Sequence, residues 1–526
     1  MVRRETQNPS YWQRFRVTDD DLEQLTNFFL EEERPATLDE LALALVRYRC
    51  QREEAAIRRK LTQGALFQPK DRYDVGDTLV FPALDYAVGT VVGVRPGFNP
   101  EYGRFRVIQV QLEGESRVRE FASEFPAPHR LNQENGEEIE QDALLTPEDL
   151  YGLYGDYVRQ ALADYLEQDE GFVRLGDQWF LKSLLVEIHI GHLNIAEAVL
   201  DINGGGPLPP EDLLKELDLP ESIKDELKVF SLNYALQQDE RFDEVGPTGE
   251  VLWFLRRLEP PEVLYPPRRL QVTSVSYDPN ILDAALIRLI QELEDEQETL
   301  TLPFQEERDE VTITLTFPHR RVGSLPLTDH LAQFFPTGKT QRIRFLFRDA
   351  LTGKEWPGWV VREGRYVFGL ADWYAEHGLP VGAYIDIRRA EEPGVVLISF
   401  RQRRAKREWI RVAVPVEGRL TFEMQKRTLA CEYDDLMIVG VQDLTAIDEI
   451  WMKAEEARKP VGEILWEIFP ELAKLTPQGT VHAKTLYSAV NVVRRLPPGP
   501  IFAELVENPH YIPVGDNYWL FGEGEV

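Results

Sequence analysis

The sequence predicts an α+β multidomain protein in which helical units alternate with small β-rich units. The chain has 526 residues, which corresponds to about three to five domains of ordinary size. Along the chain, the spacing of apolar residues switches repeatedly between the helical period and the strand period. A hairpin motif that ends in tryptophan occurs three times, which is the pattern of a repeated structural module.

Composition limits the class of protein. Apolar residues make up 43% of the chain, a fraction too high for a disordered protein. No apolar run is long enough for a transmembrane helix and the first residues lack the core of a signal peptide, so we expect a cytoplasmic protein that does not contact a membrane. Cys50 and Cys431 are the only cysteines, which argues against a disulfide framework and against a cysteine zinc site.

The net charge of −31 bears on any claim of nucleic-acid binding. DNA affinity depends mainly on neutralising phosphates, so an acidic chain is a poor non-specific binder. Any DNA contact must therefore come from a local basic face. Two interpretations of the acidity stay open: it keeps the protein soluble, or it serves contact with a basic protein surface, in the manner of a nucleic-acid mimic.

The first 132 residues predict helices followed by strands. Residues 18–60 have helical spacing, and Thr37 with Glu40 three residues later forms a capping-box pattern. Residues 67–131 change to strand spacing between glycine, proline and asparagine turns. Within them, Tyr73-Asp-Val-Gly-Asp and Gly89-Thr-Val-Val-Gly resemble the small SH3-like barrels of transcription-associated proteins.

Three segments share an aromatic residue, a glycine turn and a tryptophan after a helical run. They are Phe172–Phe180, Phe242–Phe254 and Tyr511–Leu520. We expect each to form a β-hairpin whose tryptophan (Trp179, Trp253 or Trp519) packs back onto the preceding helices. A first helix, a turn, two more helices and such a hairpin make up a winged helix.

The middle copy, over residues 187–258, resembles the winged-helix domain of the HARE-HTH type, which the delta subunit of bacterial RNA polymerase shares with some restriction-associated and chromatin proteins. The resemblance is carried by Ala196-Glu-Ala-Val-Leu, Gly206-Pro-Leu-Pro, Leu213 and Asp239-Glu-Arg-Phe-Asp-Glu-Val-Gly. It implies a non-catalytic protein linked to DNA or to transcription. The third helix of this copy has three acids (Glu221, Asp225, Glu226) against two lysines, which favours a protein partner over major-groove contact.

Residues 325–400 are similar to the pseudobarrel DNA-binding domain of plant transcription factors and of a restriction-enzyme effector domain. Gly353-Lys-Glu-Trp-Pro-Gly-Trp and Gly378-Leu-Pro-Val-Gly carry much of that similarity. Basic residues cluster in and beside this region, with Trp356 and Trp359 near them in sequence, as backbone tracking and base stacking require. The candidate nucleic-acid-binding residues are Arg320, Arg321, Lys339, Arg342, Arg344, Arg401, Arg403, Arg404, Lys406, Arg407 and Arg411.

A second interpretation of this basic strip stays open. It can be a solvated surface balanced by the acidic stretch 291–310, which holds nine acids and one base. The same stretch can also dock on the strip as an autoinhibitory cover. We treat that cover as a hypothesis.

The sequence thus divides into eight predicted segments with two small barrels. They are a helical, possibly winged-helix-like unit at 1–66, an SH3-like barrel at 67–132, a winged-helix-like unit at 133–186, a winged helix at 187–262, a linker with an acidic helix at 263–310, a pseudobarrel at 311–415, a connector at 416–458 and a C-terminal winged helix at 459–526.

The function predicted from these features is recognition without catalysis. We expect a regulator or scaffold that binds DNA, RNA polymerase or another protein, and no motif indicates an enzyme, a metal, a cofactor or a small-molecule substrate. One alternative is a DNA-targeting or specificity subunit of a restriction or defence system. Another is a protein-interaction scaffold that binds no nucleic acid.

Overall fold

The computed structural model describes residues 4–84, 86–129, 131–132, 144–300 and 309–522. Over these ranges the chain is a mixed α/β protein with several sheets, one of which is a half-barrel, so the coarse fold class is confirmed. None of the described helices combines the length and the apolar character that crossing a membrane requires. The acidic run at 134–142, whose charge pattern predicts a solvated linker, lies outside the described residues.

The elements are numbered in chain order over the described ranges. The α-helices are α1 Pro9–Gln13, α2 Asp19–Glu32, α3 Leu38–Leu61, α4 Pro147–Leu166, α5 Ile190–Ile202, α6 Pro210–Leu214, α7 Asp225–Gln237, α8 Pro261–Leu264, α9 Ala284–Leu293, α10 Phe317–Val322, α11 Asp329–Ala332, α12 Ala371–Glu376, α13 Leu444–Glu456, α14 Val461–Ala473, α15 Ala483–Val493 and α16 Pro498–Glu507. The strands are β1 Ala36–Thr37, β2 Ala65–Leu66, β3 Thr78–Phe81, β4 Ala87–Asn99, β5 Gly103–Leu112, β6 Val118–Ser123, β7 Phe172–Leu175, β8 Gln178–Leu181, β9 Phe242–Glu244, β10 Trp253–Leu255, β11 Glu310–Thr314, β12 Ser324–Pro326, β13 Arg342–Asp349, β14 Glu355–Val361, β15 Tyr366–Phe368, β16 Tyr384–Arg389, β17 Val395–Phe400, β18 Gln402–Val416, β19 Arg419–Cys431, β20 Gly440–Val441, β21 Thr480–His482, β22 Tyr511–Gly515 and β23 Tyr518–Phe521.

The chain divides into two compact units. The first unit comprises Met1–Ile188 and Leu219–Tyr234, and the second comprises His189–Asp218 and Ala235–Val526. Each unit buries its own apolar cores.

Helices of the first unit begin where the sequence places their caps. The predicted capping box is confirmed, because the Thr37 backbone N–H donates to Glu40 (2.8 Å) and the Glu40 N–H donates to the Thr37 hydroxyl (3.3 Å). These bonds satisfy backbone groups that the first turn of α3 leaves unpaired. Behind this cap, α2, α3 and α4 pack around Phe29, Leu45 and Phe180, all of which are fully buried.

A five-stranded sheet follows α3 in the first unit, and its strand order is β2-β3-β4-β5-β6. The pairs from β3 to β6 are antiparallel, and β2 pairs with β3 in parallel. Its apolar face has a separate core that includes Phe67, Phe81 and Ile108. The sheet is an insertion, since α4 resumes the helical core after it.

All three predicted hairpins are present, and their tryptophans have the same register. Trp179 opposes Ala36, Trp253 opposes Leu208 and Trp519 opposes Val481. Each of these partners stands two residues before the first residue of the next helix. All three indoles are buried, so the pairing of a hairpin tryptophan with a residue just before a helix recurs three times.

The copies differ in completeness. The first and last copies have three-stranded sheets, of order β1-β8-β7 and β21-β23-β22. The middle copy has the two-stranded hairpin β9-β10 and only a single bridge at Leu208. Most of its third helix, α7, belongs to the first unit, where Leu227 and Phe230 join the core.

The half-barrel lies in the second unit and has seven strands in the order β11-β16-β17-β13-β14-β15-β12. Its core includes Phe345, Phe347 and Ile385 on alternating strand positions. The sequence prediction extended this β unit to residue 415, but β17 is its last strand. The next strand, β18, pairs instead with β19 and β20.

Candidate nucleic-acid interface

Strands β18 and β19 form a long antiparallel hairpin, here called the basic ribbon (402–431). Glu417 and Gly418 connect the strands, and both have positive φ angles (52° and 77°). Two residues with positive φ are the signature of a type I′ turn, whose twist matches that of paired strands. The turn therefore fixes which residues of the two strands oppose each other.

The ribbon is anchored at both ends and exposed between them. Near the turn, Val412 and Phe422 are buried, and at the other end Cys431 is buried in the half-barrel core. Between these anchors, 404–407 and 426–428 are exposed on both faces. A register shift between Gln402 and Lys406 marks where the strand leaves the packed sheet.

One face of the exposed section presents an indole ring among cations. Trp409 opposes Lys426, and Arg407 opposes Thr428 two positions away, so these side chains share a face. Trp409 is 59% exposed, and Lys426 Nζ lies 5.0 Å from its ring centroid. An exposed tryptophan beside a cation can stack on a base while the cation contacts a phosphate.

The ribbon and its flanking Arg401 are locally basic in an acidic protein. Residues 401–431 hold nine arginines and lysines against three glutamates. Glu408 accepts from Lys406 (3.0 Å) and also pairs with Arg403. Lys406 in particular holds the pKa of Glu408 below its ordinary value, so this carboxylate offsets only part of the positive charge at neutral pH.

Two of the predicted arginines on the ribbon are uncommitted. Over the part of the chain that the structure describes, neither Arg404 nor Arg407 has an ion pair or a hydrogen bond from its guanidinium, and both are exposed. Arg411 donates to the backbone oxygen of Asp435. Arg401 lies at the base of the ribbon, where it donates to Thr312 at 2.9 Å.

The other predicted residues lie on separate elements. Arg320 is half-buried, donates to the Leu379 carbonyl (2.7 Å) and stacks over the Tyr374 ring at 5.6 Å. Burial lowers its pKa. Arg321 pairs with Asp448 at 2.8 Å, so both guanidinium groups have partners within the protein.

Arg342 and Arg344 are also engaged internally. Arg342 donates to Asp243 (2.8 Å) and lies 3.2 Å from a Glu259 carboxylate oxygen. The Arg344 guanidinium lies over the Phe254 ring at 5.6 Å, and burial lowers its pKa. Both guanidinium groups are therefore occupied within the protein, and neither is free to contact a phosphate.

Lys339 and the two tryptophans expected to stack on bases, Trp356 and Trp359, lie on other elements than the ribbon. Lys339 is exposed on the segment before β13. Trp359 is 3% exposed, and Trp356 donates its indole N–H to the Gly369 carbonyl (2.8 Å). The tryptophan of the ribbon that can stack on a base is Trp409. Trp356 and Trp359 were expected instead because they lie near the first basic cluster in the sequence.

The Glu259 carboxyl beside Arg342 makes the free energy of unfolding depend on pH. Burial raises the pKa of Glu259 to about 8, and the Asp243 carboxylate adds to the shift against the opposing charge of Arg342. Because the folded pKa lies above the unfolded value of about 4.3, this group stabilises the fold fully below about pH 4 and loses that contribution as the pH rises towards 8. We expect Glu259→Gln to remove this loss, so that urea unfolding shows the variant more stable than the parent at pH 8.5 but not at pH 5.

The matched control is Glu250→Gln, since Glu250 is exposed on the nearby connection between β9 and β10. It should leave the pH profile of the unfolding free energy unchanged. A Glu259→Gln profile parallel to that of the parent would contradict the assignment.

No protein-family model, curated protein or solved structure matches this chain.

The third helices of the three hairpin copies are poor candidates for contact with DNA. In α4 the acids are Glu148, Asp149, Asp156 and Asp164, against Arg159 alone. In α7 Lys228 pairs with Asp225 (3.1 Å). Helix α16 contains two glutamates and no basic residue. A helix that enters the major groove normally presents Arg, Lys, Asn or Gln. The ribbon is therefore a better candidate for contact with DNA than these helices.

The acidic stretch has a structural role over the part that is described. Asp295 accepts a bidentate pair of hydrogen bonds from Arg495, both at 2.7 Å, and Glu296 accepts a third at 2.9 Å. All three side chains are buried. Asp295 and Glu296 are thus committed to the core of the second unit and cannot cover the ribbon. Residues 301–308 of the same stretch lie outside the described residues, and the autoinhibitory cover stays a hypothesis.

The same network contains a serine–histidine–glutamate chain. His319 Nδ1 lies 2.9 Å from the Ser324 hydroxyl, and its Nε2 lies 3.0 Å from Glu296. The order of groups is that of a nucleophilic triad, but Ser324 and His319 are 0% and 1% exposed. A substrate has no access to this hydroxyl, so we interpret the three hydrogen-bonded side chains as part of the packed core. Among the described residues, no group of three or more His, Cys, Asp or Glu is arranged to hold a metal ion.

Proposed function

We propose that this protein binds DNA through the basic ribbon and that its role is recognition. The observation that carries the proposal is the exposed section of the ribbon, where Trp409 lies beside Lys426 on a strand that also presents the uncommitted Arg404 and Arg407. Phosphate contacts from the cations supply affinity, and the indole stacks on an unpaired base. Single-stranded DNA should therefore bind more tightly than duplex DNA.

The charge of the rest of the chain supports a localised site. With a net charge of −31, most of the surface repels a polyanion. A strand of DNA is then drawn to the ribbon and its flanking Arg401, where positive residues outnumber negative ones threefold. Because both ends of the ribbon are anchored, the backbone that carries the cations is held in place before binding, and little backbone entropy is lost on binding.

We propose further that the three hairpin copies are winged-helix modules that act as scaffold and protein-contact elements. The common register of Trp179, Trp253 and Trp519 supports one module type, and the acidic third helices favour protein over DNA as their partner. On α4, Leu153 and Tyr157 are 60% and 48% exposed, as a protein-binding face requires. In the same proposal the five-stranded sheet is an SH3-like barrel and the half-barrel is a pseudobarrel.

The test is a binding titration by fluorescence anisotropy with the full chain. The probes are a labelled mixed-sequence single strand of about 30 nucleotides and the matching duplex, which exceed the site size of one binding element. We expect binding of the single strand with a slope of log K against log[salt] of about −3 to −4, from about five phosphate contacts. Absence of binding at low salt would refute the proposal, and a slope near zero would refute its electrostatic basis.

A further inference from the structure

A cavity of about 330 Å³ opens on the half-barrel, at a distance in sequence from the ribbon. Strand β14, the segment after β15 and helix α12 surround it. Its lining includes Trp356, Trp359, Phe368, Asp372, Trp373 and Glu376. Three indoles and a phenyl ring in one small cavity, with two carboxylates beside them, are an unusual combination for a surface that only needs to be soluble.

Hydrogen bonds fix two of the indoles and occupy their polar atoms. Trp356 Nε1 donates to the Gly369 carbonyl (2.8 Å), and Trp373 Nε1 donates to Asp349 (2.8 Å). The two rings are nearly parallel, with 23° between their planes and 6.2 Å between their centroids. Trp373 is 3% exposed and lies behind Trp356, so the half-buried rings of Trp356 and Phe368 are the ones that offer the cavity π-electron density and apolar carbon.

The charge beside the aromatic walls is negative. Asp372 and Glu376 are both exposed on α12. Lys354 Nζ donates to Glu376 at 2.6 Å, and this hydrogen bond lowers the pKa of the Glu376 carboxyl. The protein thus already holds one ammonium group at this edge of the cavity, on a lysine that is itself 58% exposed and can move away.

We propose that this cavity binds an alkylated ammonium group, either of a small quaternary amine or of a methylated lysine side chain. Aromatic faces attract a cation through their quadrupole, and the attraction is greatest for a weakly hydrated, methylated cation. The carboxylates of Asp372 and Glu376 add charge attraction and disfavour a phosphate-bearing or carboxylate-bearing ligand. This site is independent of DNA binding by the ribbon.

The experiment is isothermal titration calorimetry of the full chain with matched probes. Choline is compared with 3,3-dimethyl-1-butanol, its neutral isostere, and with glycine betaine, which adds a carboxylate. A trimethyllysine peptide is compared with its unmodified form to distinguish a protein source from a free amine. We expect choline to bind at least about tenfold more tightly than the isostere, as a partly desolvated cation–π contact predicts, and betaine to bind more weakly than choline.

Substitutions of the exposed residues at the edge of the cavity should change binding without disturbing the fold. Asp372→Asn and Glu376→Gln should each weaken choline binding severalfold, whereas Lys354→Met removes the competing ammonium and should strengthen it. Glu391→Gln changes an exposed glutamate outside the cavity lining and should have no effect. Equal binding of choline and its neutral isostere, no binding of either ammonium probe, or weaker binding by Lys354→Met would each overturn the assignment.

Discussion

Replacing Arg404, Lys406 and Arg407 together by glutamine should lower the affinity for single-stranded DNA roughly 10²-fold at about 0.1 M salt. All three side chains are exposed on the section of the ribbon between its two anchors. Each lost phosphate contact removes about 0.7 from the salt slope of a single strand, so the slope should fall in magnitude by about 2. Fluorescence anisotropy over a range of salt concentrations measures both quantities.

The chain offers a matched control for this triple substitution. Arg58, Arg59 and Lys60 are three exposed basic residues at the end of α3, with the same two arginines and one lysine. Replacing them by glutamine changes the net charge equally but leaves the ribbon intact, so affinity should fall by less than about threefold. Equal losses from the two triple variants would mean that overall charge, and not the ribbon, governs binding.

Replacing Arg495 by methionine should lower the free energy of unfolding by about 3–5 kcal/mol. Arg495 is 3% exposed, and its guanidinium holds Asp295 and Glu296 at distances of 2.7–2.9 Å. Without it, two buried carboxylates lose their countercharge. Urea denaturation followed by tryptophan fluorescence measures the loss, since the second unit contains most of the tryptophans.

The pH dependence of this effect has a defined sign. Burial alone would raise the pKa of Glu296, but the charges of Arg495 and His319 hold it below its ordinary value. In the parent protein this contribution is present above about pH 4.3 and is lost as the pH falls below it. In Arg495→Met the buried Glu296 carboxyl loses its cationic partner and is more easily protonated, so the loss of stability should shrink as the pH falls towards 5.

The control for this substitution is Arg388→Met in the same unit. Arg388 lies 3.6 Å from Glu310, and both side chains are nearly half exposed. Exposed ion pairs contribute at most about 1 kcal/mol, so this variant should lose little stability. A similar loss in both variants would contradict the assignment of the buried network as a major stabilising element.

The repeated module could be predicted from sequence because its determinants are local. An aromatic residue, a turn and a tryptophan within about ten residues specify a hairpin through side-chain alternation and turn chemistry. The Thr37 and Glu40 cap is local in the same sense, since its two residues lie one helical turn apart. Such signals need no knowledge of distant parts of the chain.

The ribbon was only half predicted, because its second strand depends on a weak turn signal. Glu417-Gly418 adopts the positive φ angles of a type I′ turn, but Asn-Gly and Asp-Gly are the sequences that announce this turn. The β unit was therefore expected to end at 415, and Lys426 and Arg427 on the returning strand were missed. Attention to the alternation of Thr421 to Lys426 across that turn would have paired Trp409 with Lys426.

Long-range partners account for the rest of the difference. Arg342 is engaged by Asp243, 99 residues earlier, and Asp295 by Arg495, 200 residues later. In the sequence, the arginine counts as one of a basic cluster and the aspartate as one of an acidic run. Periodicity and charge counts cannot distinguish a solvated ion from one whose partner is supplied by tertiary packing.

Ultraviolet crosslinking of single-stranded DNA to the full chain, with the attached peptides identified by mass spectrometry, tests most directly whether the ribbon is the DNA contact. We expect crosslinks within residues 401–431, with Trp409 the main site because its indole stacks on a base. Crosslinks concentrated in Pro147–Leu166, Asp225–Gln237 or Pro498–Glu507, and absent from the ribbon, would contradict it and would assign DNA contact to the third helices.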